Sequence, residues 1–129
     1  MDRAESPPRA GTRAAAGRAW EARAERYLAA HGLQPVARNH RCRGGELDLV
    51  MLADDTLVFV EVRYRGNARH GSALESIDQR KQARVILAAR DFLARHPQHA
   101  ARPCRFDVIA VSGPANAPRC DWIAGAFSA

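Results

Sequence analysis

The chain has 129 residues, which suits one domain and is too short for two cores of useful size. Hydrophobic residues make up 47% of it and charged residues 26%, a composition that excludes wholesale disorder. Lysine and arginine number 20 against 14 aspartates and glutamates, so the net charge is +6. Such a basic chain favours a polyanionic partner, with nucleic acid ranked before an anionic membrane surface.

Sequence signals of export and of membrane insertion are missing. No apolar run approaches the roughly 20 residues that a membrane helix needs. The Arg-rich N-terminal stretch has no apolar core of a secretory signal. Three cysteines without CxxC spacing disfavour a disulfide framework and a zinc ribbon. We therefore expect a cytoplasmic protein without a membrane partner.

The first predicted elements are a tail, a helix and a short extended segment. Residues 1–13 contain two prolines and a glycine and predict a flexible tail, followed by a single domain at 14–129. Apolar residues recur at helical spacing between Ala14 and His31, and Gly32 ends this helix. The segment 33–36 (LQPV) is interrupted by proline and predicts no more than an edge strand or a connection.

Two strands follow, ELDLVML and LVFVEVR, and the short turn ADDT between them predicts an antiparallel hairpin. Strand side chains alternate between two faces. One face of the first strand carries Glu46, Asp48 and Val50, and the other Leu47, Leu49 and Met51. One face of the second strand carries Leu57, Phe59, Glu61 and Arg63, and the other Val58, Val60 and Val62. The acidic residues therefore fall on a single face of each strand.

The remaining chain predicts a second helix and two more strands. Capping patterns leave the start of the helix open between Ser72, Ser76 and Asp78. An apolar stripe (Val85, Ala88, Ala89 and Phe92) carries it to about Arg95, and Pro97 ends it. FDVIAV and CDWIAGAF are the closing strands. This order of elements predicts an α/β fold, a small mixed β-sheet flanked by helices.

Asp48 and Glu61 are the candidate chemical centre. If the hairpin pairs as predicted, their carboxylates lie roughly 5 Å apart and repel each other, so they need a cation. Mg²⁺ is a hard ion that one or two carboxylates commonly hold together with phosphate oxygens and water. Arg63 shares their face and could bind the same phosphate. The alternative is that these are solvated charges at strand ends, and that Glu61 and Arg63 pair with neighbouring residues. Glu46 is expected to be a supporting carboxylate or an ion-pair partner at the start of its strand.

Four motifs follow one another along the chain, GGELDLV, LVFVEVRYR, RKQAR and RFDVIAV. In this order they resemble the YraN family of small bacterial proteins, over roughly residues 17–127. Positions that match the family are Gly17, Glu21, Arg38, Asn39, Arg41, Gly45, Lys81, Ala126 and Phe127. That family looks like a compact member of the PD-(D/E)XK nuclease superfamily, akin to archaeal Holliday junction resolvases. The resemblance implies a restriction endonuclease-like fold and a metal-dependent endonuclease acting on DNA phosphodiester bonds, branched DNA included.

The resemblance also implies roles for individual residues. Asp48 and Glu61 would bind Mg²⁺ or Mn²⁺, with the Val62 backbone carbonyl as a further ligand. Glu21 would be the acid on the first helix that helps to order a metal-bound water. The alternative for Glu21 is a solvated helix acid in an i,i+4 relation with Glu25.

The chain departs from the superfamily motif at Arg63, because the motif E-x-K is here Glu61-Val62-Arg63. Arginine stabilises negative charge but cannot act as a base. Three alternatives remain open: the metal generates hydroxide and Arg63 only supplies charge, Lys81 reaches the site from the second helix, or catalysis is weak or lost. The ordinary interpretation of Lys81 is an exposed helix residue. The alternative function is a catalytically weak or inactive nucleic-acid-binding module of the same fold.

Basic residues next to the acidic strands are the candidate nucleic-acid contacts. Arginines at this spacing can bind successive phosphates, and a tyrosine can stack on a base. The set is Arg41, Arg43, Arg63, Tyr64, Arg65 and Arg69. DNA is favoured over RNA as the partner, and a homodimer would suit a junction cutter. The alternative is a solvated surface loop, and a purely structural protein whose charge reflects coding bias is the more distant rival.

Other polar and aromatic residues have simpler interpretations. His40 and His70 are expected to face solvent or contact phosphate rather than to act as bases. For Asp107 we expect a sheet-edge charge or a hydrogen bond to an arginine. Trp20 and Trp122 are expected in the core.

Overall fold

The computed structural model of the protein describes residues 13–64, 77–114 and 116–129. In chain order its elements are α1 (Arg13–Ala30), β1 (Gln34–Cys42), β2 (Gly45–Ala53), β3 (Thr56–Tyr64), α2 (Gln79–Arg95), a short 3-10 helix (Pro97–His99), β4 (Cys104–Ser112) and β5 (Arg119–Phe127). The predicted α/β class is confirmed, and the arrangement is consistent with a small restriction endonuclease-like fold. The predicted tail lies outside the described residues, except Arg13, which begins α1.

The five strands form one mixed sheet in the order β1-β2-β3-β4-β5. Neighbouring strands are antiparallel except β3 and β4, which run parallel. The predicted hairpin is confirmed, since β2 and β3 pair with Ala53 opposite Thr56. Parallel neighbours need a long connection, and α2 lies within the connection between β3 and β4.

Strand β1 is longer than predicted. The sequence predicted at most an edge strand at 33–36, whereas the strand runs over Gln34–Cys42 at the edge of the sheet. Its pairing with β2 is irregular between Pro35 and Ala37, where proline cannot donate a ladder hydrogen bond. An edge strand is held by backbone pairing on one side and buries few side chains. The rest of β1 can therefore be polar.

The sheet has a hydrophobic cluster on each face. The cluster on one face joins strand residues to α1: Leu49, Met51, Val58 and Val60 pack with Ala24 and Leu28. The cluster on the other face joins strand residues to α2: Val50, Leu57 and Phe59 pack with Val85 and Phe92. The alternation predicted for β3 is therefore confirmed at its apolar positions. The face predicted for Leu47 is wrong, because Leu47 packs in the α2-side cluster with Val50. The β2–β3 ladder ends at the pair Leu49 and Val60, so β2 no longer follows regular alternation before that point.

Helix α2 begins after Asp78, whose side chain accepts a hydrogen bond from the backbone N–H of Lys81 at 2.8 Å. This resolves the choice of cap in favour of Asp78; Ser72 and Ser76 lie outside the described residues. The predicted stripe is confirmed, with Val85 and Phe92 buried in it together with two alanines. Within the described ranges, neither α1 nor α2 is long and apolar enough to cross a membrane.

Asp107 on β4 is completely buried and fully hydrogen-bonded. It accepts two hydrogen bonds from Arg105, at 2.9 and 3.0 Å, one from Trp122 Nε1 at 2.8 Å and one from the backbone N–H of Gly125 at 2.9 Å. The expected bond to an arginine is confirmed. The sheet-edge alternative is wrong, because β4 lies between β3 and β5. Asp107 is thus a structural link from β4 to β5.

A substitution of Gly45, at the start of β2, tests how closely α2 packs on the sheet. A Cβ at this position would lie 2.3 Å from the Arg84 carbonyl oxygen and 3.1 Å from the Ala88 nitrogen. We expect Gly45→Ala to push α2 off the sheet and to lower the free energy of unfolding by about 2–4 kcal/mol. Urea denaturation measures this. The control is Gly17→Ala in α1, where a Cβ meets nothing within 4 Å. Equal midpoints for the two variants would contradict the packing argument.

Candidate active site

The candidate site is a cavity of about 220 Å³ between α1, the β2–β3 hairpin and α2. The five residues predicted as catalytic all line it: Glu21, Asp48, Glu61, Arg63 and Lys81. Val62 and Tyr64 line it as well. Four separate elements of the fold therefore bring these side chains to one place.

The end of the β2–β3 ladder positions Asp48 and Glu61. The last paired residues are Leu49 and Val60, so Asp48 and Glu61 occupy the next position of the hairpin. There the Val62 backbone N–H donates a hydrogen bond to Asp48 Oδ2 at 2.9 Å. The Asp48 side chain thus replaces a backbone carbonyl of β2 as the acceptor. The two carboxyl groups are close enough to share a hydrogen bond when one is protonated.

Burial makes the Asp48–Glu61 pair electrostatically unfavourable. It raises the pKa of Glu61 to about 8, and the negative charge of Asp48 adds to the shift. Burial likewise raises the pKa of Asp48. The Glu61 side chain is only 3% exposed, and its Oε1 is buried without a hydrogen-bond partner among the described residues. Buried polar atoms are normally satisfied, so this oxygen is available to a further ligand.

Lys81 lies beside the acidic pair. Its Nζ is 3.4 Å from Glu61 Oε2 and 3.4 Å from Glu46 Oε2. The ordinary interpretation of Lys81 as an exposed helix residue is therefore wrong, since its side chain is only 21% exposed. Arg63 Nη1 lies 3.6 Å from the same Glu61 oxygen. Two cations from different elements thus flank Glu61, and both lower its pKa against the larger effect of burial.

Glu21 enters the cavity from α1. Its Oε1 is buried without a hydrogen-bond partner among the described residues. Burial raises the pKa of Glu21, the charge of Asp48 raises it further, and a hydrogen bond with Asn39 opposes the shift. The solvated alternative does not describe this side chain. Glu25, by contrast, is paired with Arg38.

The donor set suits a divalent ion that retains water ligands. Within residues 13–64, 77–114 and 116–129, no group of three or more His, Cys, Asp and Glu side chains could hold a metal ion. Mg²⁺, however, is usually held by one or two carboxylates, with water and substrate phosphate completing its shell. Asp48 and Glu61 provide two such carboxylates, and Glu61 Oε1, which has no hydrogen-bond partner within the described ranges, is a suitable ligand atom. The residues present therefore fit Mg²⁺ or Mn²⁺ as an ion held by two carboxylates, with the rest of its shell supplied by water and phosphate.

The predicted basic rim is only partly within the described structure. Arg41 lines an adjoining cavity of about 340 Å³, which shares Glu21 and Asp48 with the first. Arg43 is exposed in the turn between β1 and β2 and lines neither cavity. Arg65, Arg69 and His70 lie outside the described residues.

Two side chains have surroundings that differ from the sequence prediction. His40 was expected to face solvent or phosphate, but its Nε2 contacts Asp91 Oδ2 at 2.8 Å and its ring packs edge-on against Phe92. Trp20 was expected in the core, yet it also lines the cavity that holds Asp48 and Glu61, called the acidic cavity below. Its ring stacks on Tyr64.

Comparison with known proteins assigns the family. A sequence model described as "Uncharacterised protein family UPF0102" matches residues 20–111. The chain is 57% identical to a UPF0102 protein of Pseudomonas putida (strain GB-1), over 87% of this chain and 92% of that one. It is 53% identical to a UPF0102 protein of Stutzerimonas stutzeri (strain A1501), over 86% and 92%. A UPF0102 protein of Aeromonas hydrophila is 52% identical, over 86% and 83%. The chain therefore belongs to the family UPF0102, the YraN family.

Proposed function

We propose that this protein is an endonuclease that hydrolyses phosphodiester bonds in DNA, with Mg²⁺ or Mn²⁺ bound by Asp48 and Glu61. The observation that supports it best is the convergence of the buried Glu61 carboxyl group, the partly buried Asp48 carboxyl group and the Lys81 side chain in one cavity. The raised pKa of Glu61 belongs to the same argument, because perturbed acids cluster at functional sites.

The metal and the protein divide the chemistry. A divalent ion at this place would supply Lewis acidity toward the phosphate and lower the pKa of a bound water. Asp48 and Glu61 would hold the ion, with the Val62 carbonyl as a further ligand. Glu21 lies in the same cavity, where its Oε1 has no hydrogen-bond partner in the described part of the chain; it would accept a hydrogen bond from the attacking water and orient it.

Lys81 and Arg63 have separate roles in this proposal. The Lys81 amine can polarise the attacking water or exchange a proton with it, as the lysine of the superfamily motif would. The Arg63 guanidinium stabilises the negative charge that develops on the phosphate. Lys81 thereby takes over the chemistry that Arg63 cannot perform.

Nucleic acid binding draws on the basic surface around the cavity. The net charge of +6 favours a polyanion, and Arg41 lies in the adjoining cavity. Arg43, Arg65 and Arg69 extend this set as predicted phosphate contacts. Symmetrical cutting of branched DNA would require two copies of the active site, so a homodimer is part of the proposal for that substrate.

The second candidate is a nucleic-acid-binding module that has lost catalysis. The observation that favours it is Arg63 at the position of the motif lysine, because an arginine cannot serve as a base. The 3.4 Å contact of Lys81 with Glu61 argues for the enzyme instead. The two candidates differ in turnover and agree in salt-dependent binding.

Incubation of the purified full-length chain with single-stranded, duplex and branched DNA tests the proposal. We expect cleavage with Mn²⁺ or Mg²⁺, none with EDTA, and none by Asp48→Ala in either metal. Asp91→Asn serves as the matched control, since Asp91 contacts His40 and Arg95 rather than the cavity. Cleavage by Asp48→Ala, or without metal, would contradict the proposal. Salt-dependent binding without any cleavage would select the binding module.

A further inference from the structure

An aromatic pair forms part of the wall of the acidic cavity. Trp20 of α1 and Tyr64 at the end of β3 stack with ring centroids 4.0 Å apart and an interplanar angle of 11°. Both rings line the same cavity as Asp48 and Glu61. The guanidinium carbon of Arg23 lies 4.5 Å from the centroid of the Trp20 ring. A flat aromatic surface with a nearby positive charge therefore adjoins the carboxyl groups.

Burial differs between the two rings. Trp20 is partly buried and packs against the α1-side hydrophobic cluster, which holds its ring in place. Tyr64 is 48% exposed; Leu87 is the other exposed large hydrophobic residue among those the structure describes. A half-exposed ring that is supported from behind by a fixed ring offers a stacking surface at low entropic cost.

The chemistry of such a surface points to a nucleobase. Every base has a π-face that stacks on an aromatic ring, whereas in an intact duplex the neighbouring bases cover both faces. An unpaired or unstacked nucleotide can therefore use the ring, whereas a base inside an uninterrupted duplex cannot. The charge of Arg23, which lies over the Trp20 ring, adds to the positive surface that attracts the phosphates of the same strand.

We propose that Trp20 and Tyr64 form a stacking platform for an unpaired base next to the phosphodiester at the Asp48–Glu61 site. The substrate class is then single-stranded nucleic acid, or branched nucleic acid with an unpaired nucleotide, in preference to uninterrupted duplex. This inference rests on the proposed function, because it takes the acidic cavity to be the place where the phosphodiester binds.

Fluorescence of 2-aminopurine tests the platform without cleavage. The probe is a single-stranded DNA oligonucleotide with one 2-aminopurine, bound in EDTA, beside a duplex of the same sequence. We expect the protein to quench 2-aminopurine in the single strand, Tyr64→Phe to retain the quenching and Tyr64→Ala to abolish it. Affinity for the single strand should fall about tenfold in Tyr64→Ala, while duplex affinity changes little. Leu87→Ala is the matched control, since this exposed side chain lies outside the cavity lining.

The possible failures are distinguishable. If Tyr64→Ala lowers single-strand and duplex affinity equally, or only lowers the melting temperature, the ring is structural and the platform is wrong. If quenching depends on Tyr64 but the protein never cleaves DNA with Mn²⁺, the platform holds and the nuclease proposal fails. If the protein cleaves duplex and single-stranded DNA at similar rates, and Tyr64→Ala leaves the ratio of these two rates unchanged, the nuclease proposal is supported and the stacking platform is wrong. Absence of binding to any nucleic acid overturns both.

Discussion

Glu61→Gln is expected to lower metal-dependent cleavage by about a thousandfold, because a lost metal ligand removes several kcal/mol of transition-state stabilisation. The substitution keeps the size of the side chain but replaces a carboxylate by an amide, a far weaker ligand for Mg²⁺. Cleavage rates under single-turnover conditions measure the effect. Asp91→Asn, the same kind of substitution outside the cavity, should retain full activity.

The same variant is expected to be more stable than the wild type without metal. Burial raises the pKa of Glu61 from its ordinary 4.5 to about 8. Between these values the folded protein holds a proton that the unfolded chain has released, so the free energy of unfolding falls as the pH rises through this range. Glu61→Gln removes that loss, on the order of 4 kcal/mol near pH 8.

Urea denaturation in EDTA at a series of pH values checks this expectation. The unfolding free energies of Glu61→Gln and the wild type should be similar near pH 4.5 and diverge toward the alkaline side. A variant that is inactive and also less stable at every pH would show that Glu61 acts in folding, and its loss of cleavage would then carry no information about metal binding.

Lys81→Ala is expected to lower the cleavage rate by about a hundredfold or more, as loss of a positioned acid–base group does. Its Nζ lies 3.4 Å from Glu61 Oε2, within the cavity that holds both carboxyl groups. DNA affinity in EDTA should change much less, because Lys81 is one cation among 20 lysines and arginines. The ratio of the two effects separates a role in the reaction from a role in binding.

A second substitution in the same background makes the test sharper. Arg63→Lys returns an amine to the position of the superfamily motif, beside the same Glu61 oxygen. If Lys81 has taken over the function of that lysine, Arg63→Lys should restore at least part of the activity lost in Lys81→Ala. Arg63→Lys alone should have a smaller effect than Lys81→Ala. A normal rate for Lys81→Ala would contradict the role of Lys81. A lowered rate that Arg63→Lys does not restore would contradict the replacement of the motif lysine by Lys81.

The predictions of the β2–β3 hairpin and of the apolar stripe on α2 were confirmed because both rest on local sequence patterns. The β2–β3 hairpin could be predicted because side chains alternate along a strand and a short polar turn forces the next strand back beside the first. The stripe on α2 could be predicted because helical spacing places its apolar residues on one face. Both depend only on residues that are close in sequence, and the hairpin already brings Asp48 and Glu61 to neighbouring positions.

Other features could not be predicted because backbone pairing and irregular geometry leave little trace in the sequence. Strand β1 is polar and is held at the sheet edge by its hydrogen bonds with β2, so no hydrophobic pattern marks its length. The placement of Leu47 depends on where the β2–β3 ladder ends. His40 pairs with Asp91 only because α2 packs beside β1.

The amino-acid sequence by itself determined the α/β class, the family and the pair of acids on adjacent strands, because these follow from periodicity and from motifs of neighbouring residues. Only the tertiary structure decided that Lys81 contacts Glu61, that Glu21 lies in the same cavity and that Trp20 stacks on Tyr64. The physical reason is that each of these contacts joins elements distant in the chain. Their distances are set by how the two helices pack on the sheet.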